Sequence, residues 1–466
     1  MHLAIIGAGI TGTTLSLALS ARDIPHTVYE QSRHPTELGA GLGLGPNAAR
    51  ALRIAHRGVY ERFLEGKEAE KEEEEEKEEE KVWIDFLDGT SPLEARDLSP
   101  AFRIPCPYPE GHGAVHRARW LEELMGMVGE GTVQFGKRLE RIEDPGVGEK
   151  KVVLHFEDGT TAEADAVIGC DGVKSKVREV LVGGKDKEGA KCGYSGKYAY
   201  RCMIPMDRAM EELGPARAGC SSLWMGHGRH VLTFPVGRAG PDQLLNLVAF
   251  VTDPNESWPS QDARSFTLPA TRDDALRDFE QGSFSNTVQR LLRLTKDKMD
   301  KWGLFDLAAQ PLPSFYSGRI LVIGDAAHAS TPHHGSGAGF CMEDVAVLLS
   351  LLEEITSTST STSTMDEHDH DSSSSSPSNN NQAHHQIQAV FAAFDASRRE
   401  RDQWLVQSSR RAADLYEWRL PNTGKEHFES MRKDIEERQA VCWGIDLDRA
   451  IADAREDLRR RLAVAQ

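Results

Sequence analysis

An α/β fold is predicted for this chain: a Rossmann-like domain interrupted by a mostly antiparallel β-sheet domain and completed by C-terminal helices. Three observations predict it. An apolar run ending in glycines, Ile5-Ile6-Gly7-Ala8-Gly9-Ile10-Thr11-Gly12, opens the chain, and an acid, Glu30, ends the next apolar run. A second buried-strand pattern, Ile320 to Ile323, leads into Gly324-Asp325-Ala326-Ala327-His328 and then Pro332-His333-His334-Gly335-Ser336-Gly337-Ala338-Gly339. Between them, from Lys197 to Val251, apolar runs alternate with Gly/Pro-rich turns.

Leu3 to Gly7 reads as a strand because a short apolar run stops at a glycine, and Thr13 to Leu19 follows with helical character. Thr27 to Glu30 is the next strand, at close to the roughly 20-residue spacing that such βαβ units use. Val82 to Phe86 with the turn Asp88-Gly89 is a strand and turn, and Leu121, Leu124 and Met125 give His116 to Val128 a helical stripe. Val152 to Phe156 is expected to form a hairpin with Ala166 to Ile168 through Asp158-Gly159-Thr160, feeding Gly169-Cys170-Asp171-Gly172. Tyr198 to Ile204, His230 to Phe234 and Leu244 to Val251 are the strands of the middle sheet, the expected substrate domain. Helices are expected from Gly339 to Ile355, from Ile387 to about Trp418, and from Lys425 to Val464.

These elements divide the chain into a first cofactor-binding part (1–190), a substrate domain (191–312), a second cofactor-binding part (313–355) and C-terminal helices (387–466). Two inserts have no packing pattern and are expected to be disordered: the Glu/Lys tract 67–81 and the Ser/Thr/Asn-rich stretch 356–386.

Hydrophobic content of 39% and charged content of 27% suit a globular enzyme long enough for two joined domains. The net charge of -18 argues against nucleic acid or an anionic membrane as partner, although the tract 67–81, with 10 Glu and 4 Lys, supplies -6 of it. Seven cysteines in no CxxC spacing predict neither a disulfide framework nor a zinc site. No secretory signal pattern precedes the first strand and no apolar run reaches about 18 residues, so a reducing, cytoplasmic setting without a transmembrane segment is expected. His328, His333 and His334 have no acidic or cysteine ligand at suitable spacing, and no metal is expected.

In the first motif, Gly7 allows the tight turn, Gly9 lets the backbone approach a pyrophosphate, and Gly12 lets helix and strand pack closely. The helix start then faces the phosphates with unpaired N–H groups, and Glu30 accepts hydrogen bonds from ribose hydroxyls. In the second motif, Asp325 can bind ribityl hydroxyls. The N–H groups of the Gly335–Gly339 run, with Gly337 at its centre, can stabilise negative charge on a reduced flavin. A domain for a nicotinamide dinucleotide alone has no use for this second segment, so the pair predicts FAD.

Four segments carry a family resemblance: the Gly7–Gly12 fingerprint, His116-Arg117-Ala118-Arg119, Cys170 to Arg178, and Gly324 to His328 through Glu343-Asp344. On these the chain resembles the single-component FAD-dependent aromatic hydroxylases of the p-hydroxybenzoate hydroxylase fold. It is most similar to their salicylate-hydroxylase-like branch, which includes fungal monooxygenases of secondary metabolism. The resemblance implies FAD contacts at Glu30, Gly41, Gly43, Arg117, Asp325 and Ala338, and a segment at Asp171-Gly172 that serves FAD and transient NAD(P)H docking. It also implies an NAD(P)H-consuming monooxygenase that hydroxylates a phenolic or aromatic-acid substrate, polyketide-derived ones included, through a flavin C4a-hydroperoxide formed with O2.

Within the middle sheet, Arg201 lies between apolar neighbours and can hold a phenolate or carboxylate. Related fungal hydroxylases pair an arginine here with a tyrosine on the neighbouring strand. The matching residue is Phe234, which cannot ionise, and His230, on the same strand face at period two, can supply the base instead. Two other readings stay open: an FAD-dependent epoxidase acting on an alkene, favoured by a wholly apolar pocket, and a flavin-binding protein without oxygenase activity.

Overall fold

A computed structural model describes the chain except residues 35–40, 72–81, 109–112, 147–150, 184–189, 238–239, 241–242, 260–265, 282–283, 363–376 and 465–466. The core of the Glu/Lys tract and the centre of the Ser/Thr/Asn-rich insert, both expected to be disordered, therefore lie outside the described residues. Helices Arg57–Lys71 and Gly337–Thr362 run into these segments, and helix Pro377–Tyr416 follows the second.

The apolar runs at the two glycine motifs meet in one six-stranded sheet, ordered Tyr316–Ser317, Ile320–Val322, Ala166–Gly169, Leu3–Ile6, His26–Glu30 and Val133–Phe135. All pairings are parallel apart from the short edge strand Tyr316–Ser317. Leu3, Ala4, Ile5, Ala166, Val167, Ile168, Leu321 and Val322 are wholly buried, as strands covered on both faces must be. Gly7, Glu30, Cys170 and Gly324 therefore stand together at the carboxyl ends of adjacent strands, where open α/β sheets bind ligands.

Ala166–Gly169 does not form the expected hairpin. Val152–Phe156 turns back onto Thr161–Ala164, and Ala166–Gly169 pairs in parallel with Leu3–Ile6. Its four consecutive buried residues suit a sheet interior, whereas a hairpin with one solvated face would alternate.

The middle block forms an eight-stranded sheet, ordered Thr267–Thr271, Lys298–Asp306, Gly193–Pro205, Leu244–Thr252, Arg229–Val236, Ser222–Gly226, Val82–Asp88 and Phe102–Pro105. The last two strands come from the first part of the chain, and Val82–Asp88 joins in parallel. On one face Tyr200, Leu247, Ala249, Val251, Val231 and Trp224 pack under the helices Met206–Leu213, Arg272–Gln281 and Asn286–Arg293. The alternate residues Ala199, Val248 and Phe250, with Leu232 and Leu304, form a separate apolar cluster on the other face.

The C-terminal segment is two helices, Phe428–Trp443 and Leu447–Val464, interrupted at Gly444, whose added Cβ would lie 2.5 Å from the Ala440 carbonyl. Among the described residues no helix is long and apolar enough to cross a membrane.

Candidate active site

The first glycine motif is built as a cradle. Gly7 has φ 100°, and a Cβ there would lie 2.7 Å from the Cys170 carbonyl oxygen; one on Gly12 would lie 2.0 Å from the Gly7 oxygen. Both glycines let three backbone segments meet. Gly9 differs: a Cβ there would meet nothing within 4 Å, so the space in front of it is open. Gly9 caps helix Ile10–Ser20 without a side-chain hydrogen bond, and no acid occupies the first turn. The leading N–H groups face that space as an anion site. Glu30 accepts from the Ala8 N–H at 2.8 Å and the Ser32 N–H at 2.7 Å, which holds its carboxylate beside the glycine turn.

The second motif is held from behind by a buried ionic cluster. Asp344 Oδ2 accepts the Gly324 N–H at 2.9 Å and lies 2.8 Å from His328 Nε2, while its Oδ1 accepts from Arg398 Nε at 2.8 Å. The same guanidinium reaches Glu343 Oε2 and Asp402 Oδ1, each at 2.6 Å. Burial opposes charge on His328, but Asp402 and Asp344 outweigh it and hold its pKa up to about 9. Asp344 and Asp402 thus do gather around His328, although their positions along the chain gave no such sign. Arg398 supplies the cation this set would otherwise seek in a metal.

In front of this cluster stands Asp325, partly exposed, with no side chain hydrogen-bonded or ion-paired to its carboxylate among the described residues. Gly335 turns in the left-handed region (φ 61°), and helix Gly337–Thr362 begins at Gly337 and Ala338, both half-buried, with no acid in its first turn. An added Cβ on Gly339 would lie 2.7 Å from Asn47 Nδ2, whose amide donates to Glu343 Oε1 at 2.8 Å. An open glycine turn, an uncapped helix start and an unpartnered acid fit FAD. Asp325→Ala is therefore expected to purify with little flavin, read as the FAD absorbance per chain; stoichiometric flavin would remove Asp325 from the site.

Asp171 was expected to contact FAD and NAD(P)H through its segment. Its carboxylate is committed locally: it accepts from Ser175 Oγ at 2.5 Å and from the N–H groups of Lys176 and Val177 at 2.6 and 3.0 Å. Asp171 therefore caps helix Lys176–Val182 and fixes the loop that abuts Gly7.

A two-stranded ribbon, Gly41–Leu44 with Gly113–His116, joins the two sheets. It sets Gly41 and Gly43 alongside the approach to Arg117, the first residue of helix Arg117–Met127. A Cβ on Gly41 would lie 2.5 Å from Phe234 Cε2, so Phe234 packs against the ribbon. Arg201 lies on the same sheet face as Ala199, Val248 and Phe250, with its guanidinium 5.5 Å from the centre of the Trp302 ring. Burial, with the nearby charge of Arg117, brings its pKa down to about 10, so it stays cationic at neutral pH. No carboxylate pairs with it among the described residues.

His230 is on this face too, stacked on Phe250 at 4.4 Å between ring centres and 5.2 Å from the His333 ring. Its Nδ1 lies 3.1 Å from Glu417 Oε1. Burial lowers its pKa, with Glu417 acting in the opposite direction, so the imidazole is neutral near pH 7. Glu417, Asp344 and Arg398 were not foreseen as site residues. Arg398 and Glu417 sit on polar-looking helical stretches that read as solvated faces, whereas Asp344 is one of the few charges in an otherwise apolar helix.

Residues 1–192 and 258–380 match a family model described as FAD binding domain. The chain is 38% identical over 462 residues to the FAD-dependent monooxygenase pigN of Monascus ruber, covering 99% of this chain and 98% of that protein. It is 35% identical over 466 residues to the salicylate hydroxylase asL1 of Sarocladium schorii, covering 99% and 92%. A solved salicylate hydroxylase substrate complex superposes with a TM-score of 0.74 at 26% identity, covering 97% of this chain and 98% of that one.

Proposed function

The chain belongs to the FAD-dependent monooxygenases, and on that premise we propose that it hydroxylates a phenolic or aromatic-acid substrate, taking electrons from NAD(P)H and oxygen from O2. The observation that carries the substrate class is Arg201, a half-buried guanidinium with Trp302 beside it and no carboxylate partner among the described residues. A desolvated cation without a counter-ion favours an anionic ligand, and the anion of a hydroxyaryl ring is also its more nucleophilic form. A wholly apolar pocket, as an alkene epoxidase would use, does not suit this residue.

Gly7, Gly9, Gly12 and Glu30 would hold the adenosine and pyrophosphate of FAD. Asp325, Gly337 and Ala338 would hold its ribityl and flavin ends, with Gly41, Gly43 and Arg117 along the ribbon. When bound, FAD supplies the two-electron chemistry with O2 and the transfer of one oxygen atom. The protein's own residues orient and activate the aromatic ring. Arg201 binds its oxyanion, and His230 takes the phenolic proton. Leu232, Val248 and Phe250 line the same face with apolar surface that keeps water away. The Cys170–Gly172 loop, set against Gly7, is the proposed place for NAD(P)H to dock.

Turnover of a phenolic substrate under ¹⁸O2 tests the assignment. One ¹⁸O atom in the product's new hydroxyl is expected. Product without label, or hydrogen peroxide as the sole oxygen product across phenols and hydroxybenzoates, would contradict it.

A further inference from the structure

Glu417 ends the long helix Pro377–Tyr416, far along the chain from every glycine motif, yet its side chain is wholly buried against the substrate-domain sheet. Oε1 faces His230 Nδ1, and Oε2 accepts from Lys197 Nζ at 2.5 Å and from the Thr252 hydroxyl. Lys197 also lies 3.0 Å from Asp414. The Glu417 backbone carbonyl accepts the Gly228 N–H at 2.8 Å, which ties the helix end to the turn that leads into the His230 strand.

Such an arrangement has one consistent proton count. Burial opposes ionisation of Glu417, but Lys197 and His230 outweigh it and hold its carboxyl well below the usual range. A carboxylate can only accept, so His230 Nδ1 must donate. A neutral imidazole with its proton on Nδ1 has a free lone pair on Nε2, and no group bonds Nε2 among the described residues.

We propose that Glu417 is a positioning residue for this reaction: it locks His230 in the Nδ1–H tautomer, so that Nε2 accepts the proton of the substrate hydroxyl. The step rests on the hydroxylase reading above. In it the substrate O–H bond breaks, an Nε2–H bond forms, and the resulting imidazolium is stabilised by the Glu417 carboxylate while Arg201 holds the oxyanion. The groups that face His230 are consistent with it. Phe250 and Tyr416 are uncharged, and His333, with neither ring nitrogen hydrogen-bonded, is kept neutral by burial and by His230. Lys197 acts against protonation of His230 but is itself neutralised by Glu417 and Asp414.

The test compares the FAD-loaded wild type with Glu417→Gln by two readouts. In ¹⁵N-histidine-labelled protein, with His230 assigned through a His230→Gln variant, the wild type should show the Nδ1–H tautomer. Glu417→Gln should lose it, because an amide can donate to Nδ1 as well as accept from it. With salicylate and other hydroxybenzoates, Glu417→Gln should lower substrate-stimulated NAD(P)H oxidation by roughly 100-fold or more, the scale that a positioned general base contributes. The acid limb of its pH profile should also move to lower pH, since His230 loses the anion that supports its protonation. Packing damage alone would lower the rate without moving that limb. An Nε2–H tautomer in the wild type, or the same tautomer in both proteins, overturns the proposal whatever the activity. The expected tautomers with no stimulation of the wild type by any hydroxybenzoate would keep Glu417 as the residue that sets the tautomer and overturn the hydroxylase reading instead.

Discussion

Arg398→Met is expected to lose most of its bound FAD and to unfold at a temperature several degrees below wild type, read by flavin absorbance per chain and a thermal melt. The guanidinium is the common partner of Glu343, Asp344 and Asp402, and all four side chains are at most 1% exposed. Methionine fills similar volume but leaves three acids around His328 with one cation fewer. Removing one partner of a buried ionic set costs about 3–5 kcal/mol, because the remaining charges stay desolvated. The loss should reach the cofactor, since Asp344 also holds the Gly324 N–H that begins the Asp325 turn. A variant with full flavin and an unchanged melt would show that the turn does not depend on the cluster.

The same cluster gives stability a pH dependence whose sign differs from group to group. Burial pushes the Asp402 carboxyl well up, so its contribution is lost as pH rises above about 4, opposite to Glu343 and Asp344. Burial opposes ionisation of Glu343 and Asp344, but Arg398 and Arg401 at Glu343, and His328 and Arg398 at Asp344, outweigh it and their folded pKa values are lowered. Their contribution is present above the ordinary carboxylate range near about pH 4 and is lost as pH falls through the folded values. His328 is raised to about 9. Its contribution is complete below its unfolded value of about 6.5 and is lost as pH rises from there to about 9. Melting temperature should therefore decline across that upper window in the wild type. The decline should be shallower in His328→Gln; equal slopes would assign it elsewhere.

Arg201→Ala should keep stoichiometric FAD yet lose about 10²-fold or more of its substrate-stimulated turnover, the scale of removing one charge aimed at a developing anion. Arg201 lies on the sheet face opposite the helices Met206–Leu213 and Asn286–Arg293, among apolar side chains, and touches none of the glycine turns, so flavin retention is the control within the experiment. Arg201→Lys should fall between, because an ammonium keeps the charge but loses the planar donor pair and the stacking on Trp302. Unchanged turnover in Arg201→Ala would take this residue out of the substrate site.

What was legible in the sequence was local chemistry. The strand-glycine-helix order around Gly7, Gly9 and Gly12, the acid at Glu30 and the Gly324-Asp325 turn each follow from a few neighbouring residues whose conformation allows little choice. Placement of His230, Leu232 and Phe234 on one face follows from period-two alternation and holds in the paired registers. Arg201 is on that face too, but its strand is not the neighbour of the Phe234 strand, since Leu244–Thr252 lies between them. Long-range partner choice was not legible. The unbroken apolar run of Ala166–Gly169 suits an interior strand but does not name Leu3–Ile6 as its neighbour, and nothing in Val82–Asp88 marks it as the parallel neighbour of Ser222–Gly226. The ionic residues behind the site were hidden for a related reason. Arg398, Asp402 and Glu417 sit in stretches as charged as any exposed helix, and only the packing of Pro377–Tyr416 against both sheets shows that they are buried. Asp171 shows the opposite case, a residue in a recognisable motif whose carboxylate serves its own helix.

The central claim is that the site couples oxidation of a nicotinamide cofactor to hydroxylation of an aromatic ring bound as an anion. It is tested most directly by following NADPH and NADH oxidation in air by the FAD-loaded protein, with and without a panel of phenols and hydroxybenzoates, while hydrogen peroxide is trapped. Strong stimulation by at least one hydroxyaryl compound, with little peroxide and a hydroxylated product, is the predicted result. No stimulation by any of them, or stimulation matched mole for mole by peroxide throughout the panel, would contradict the account.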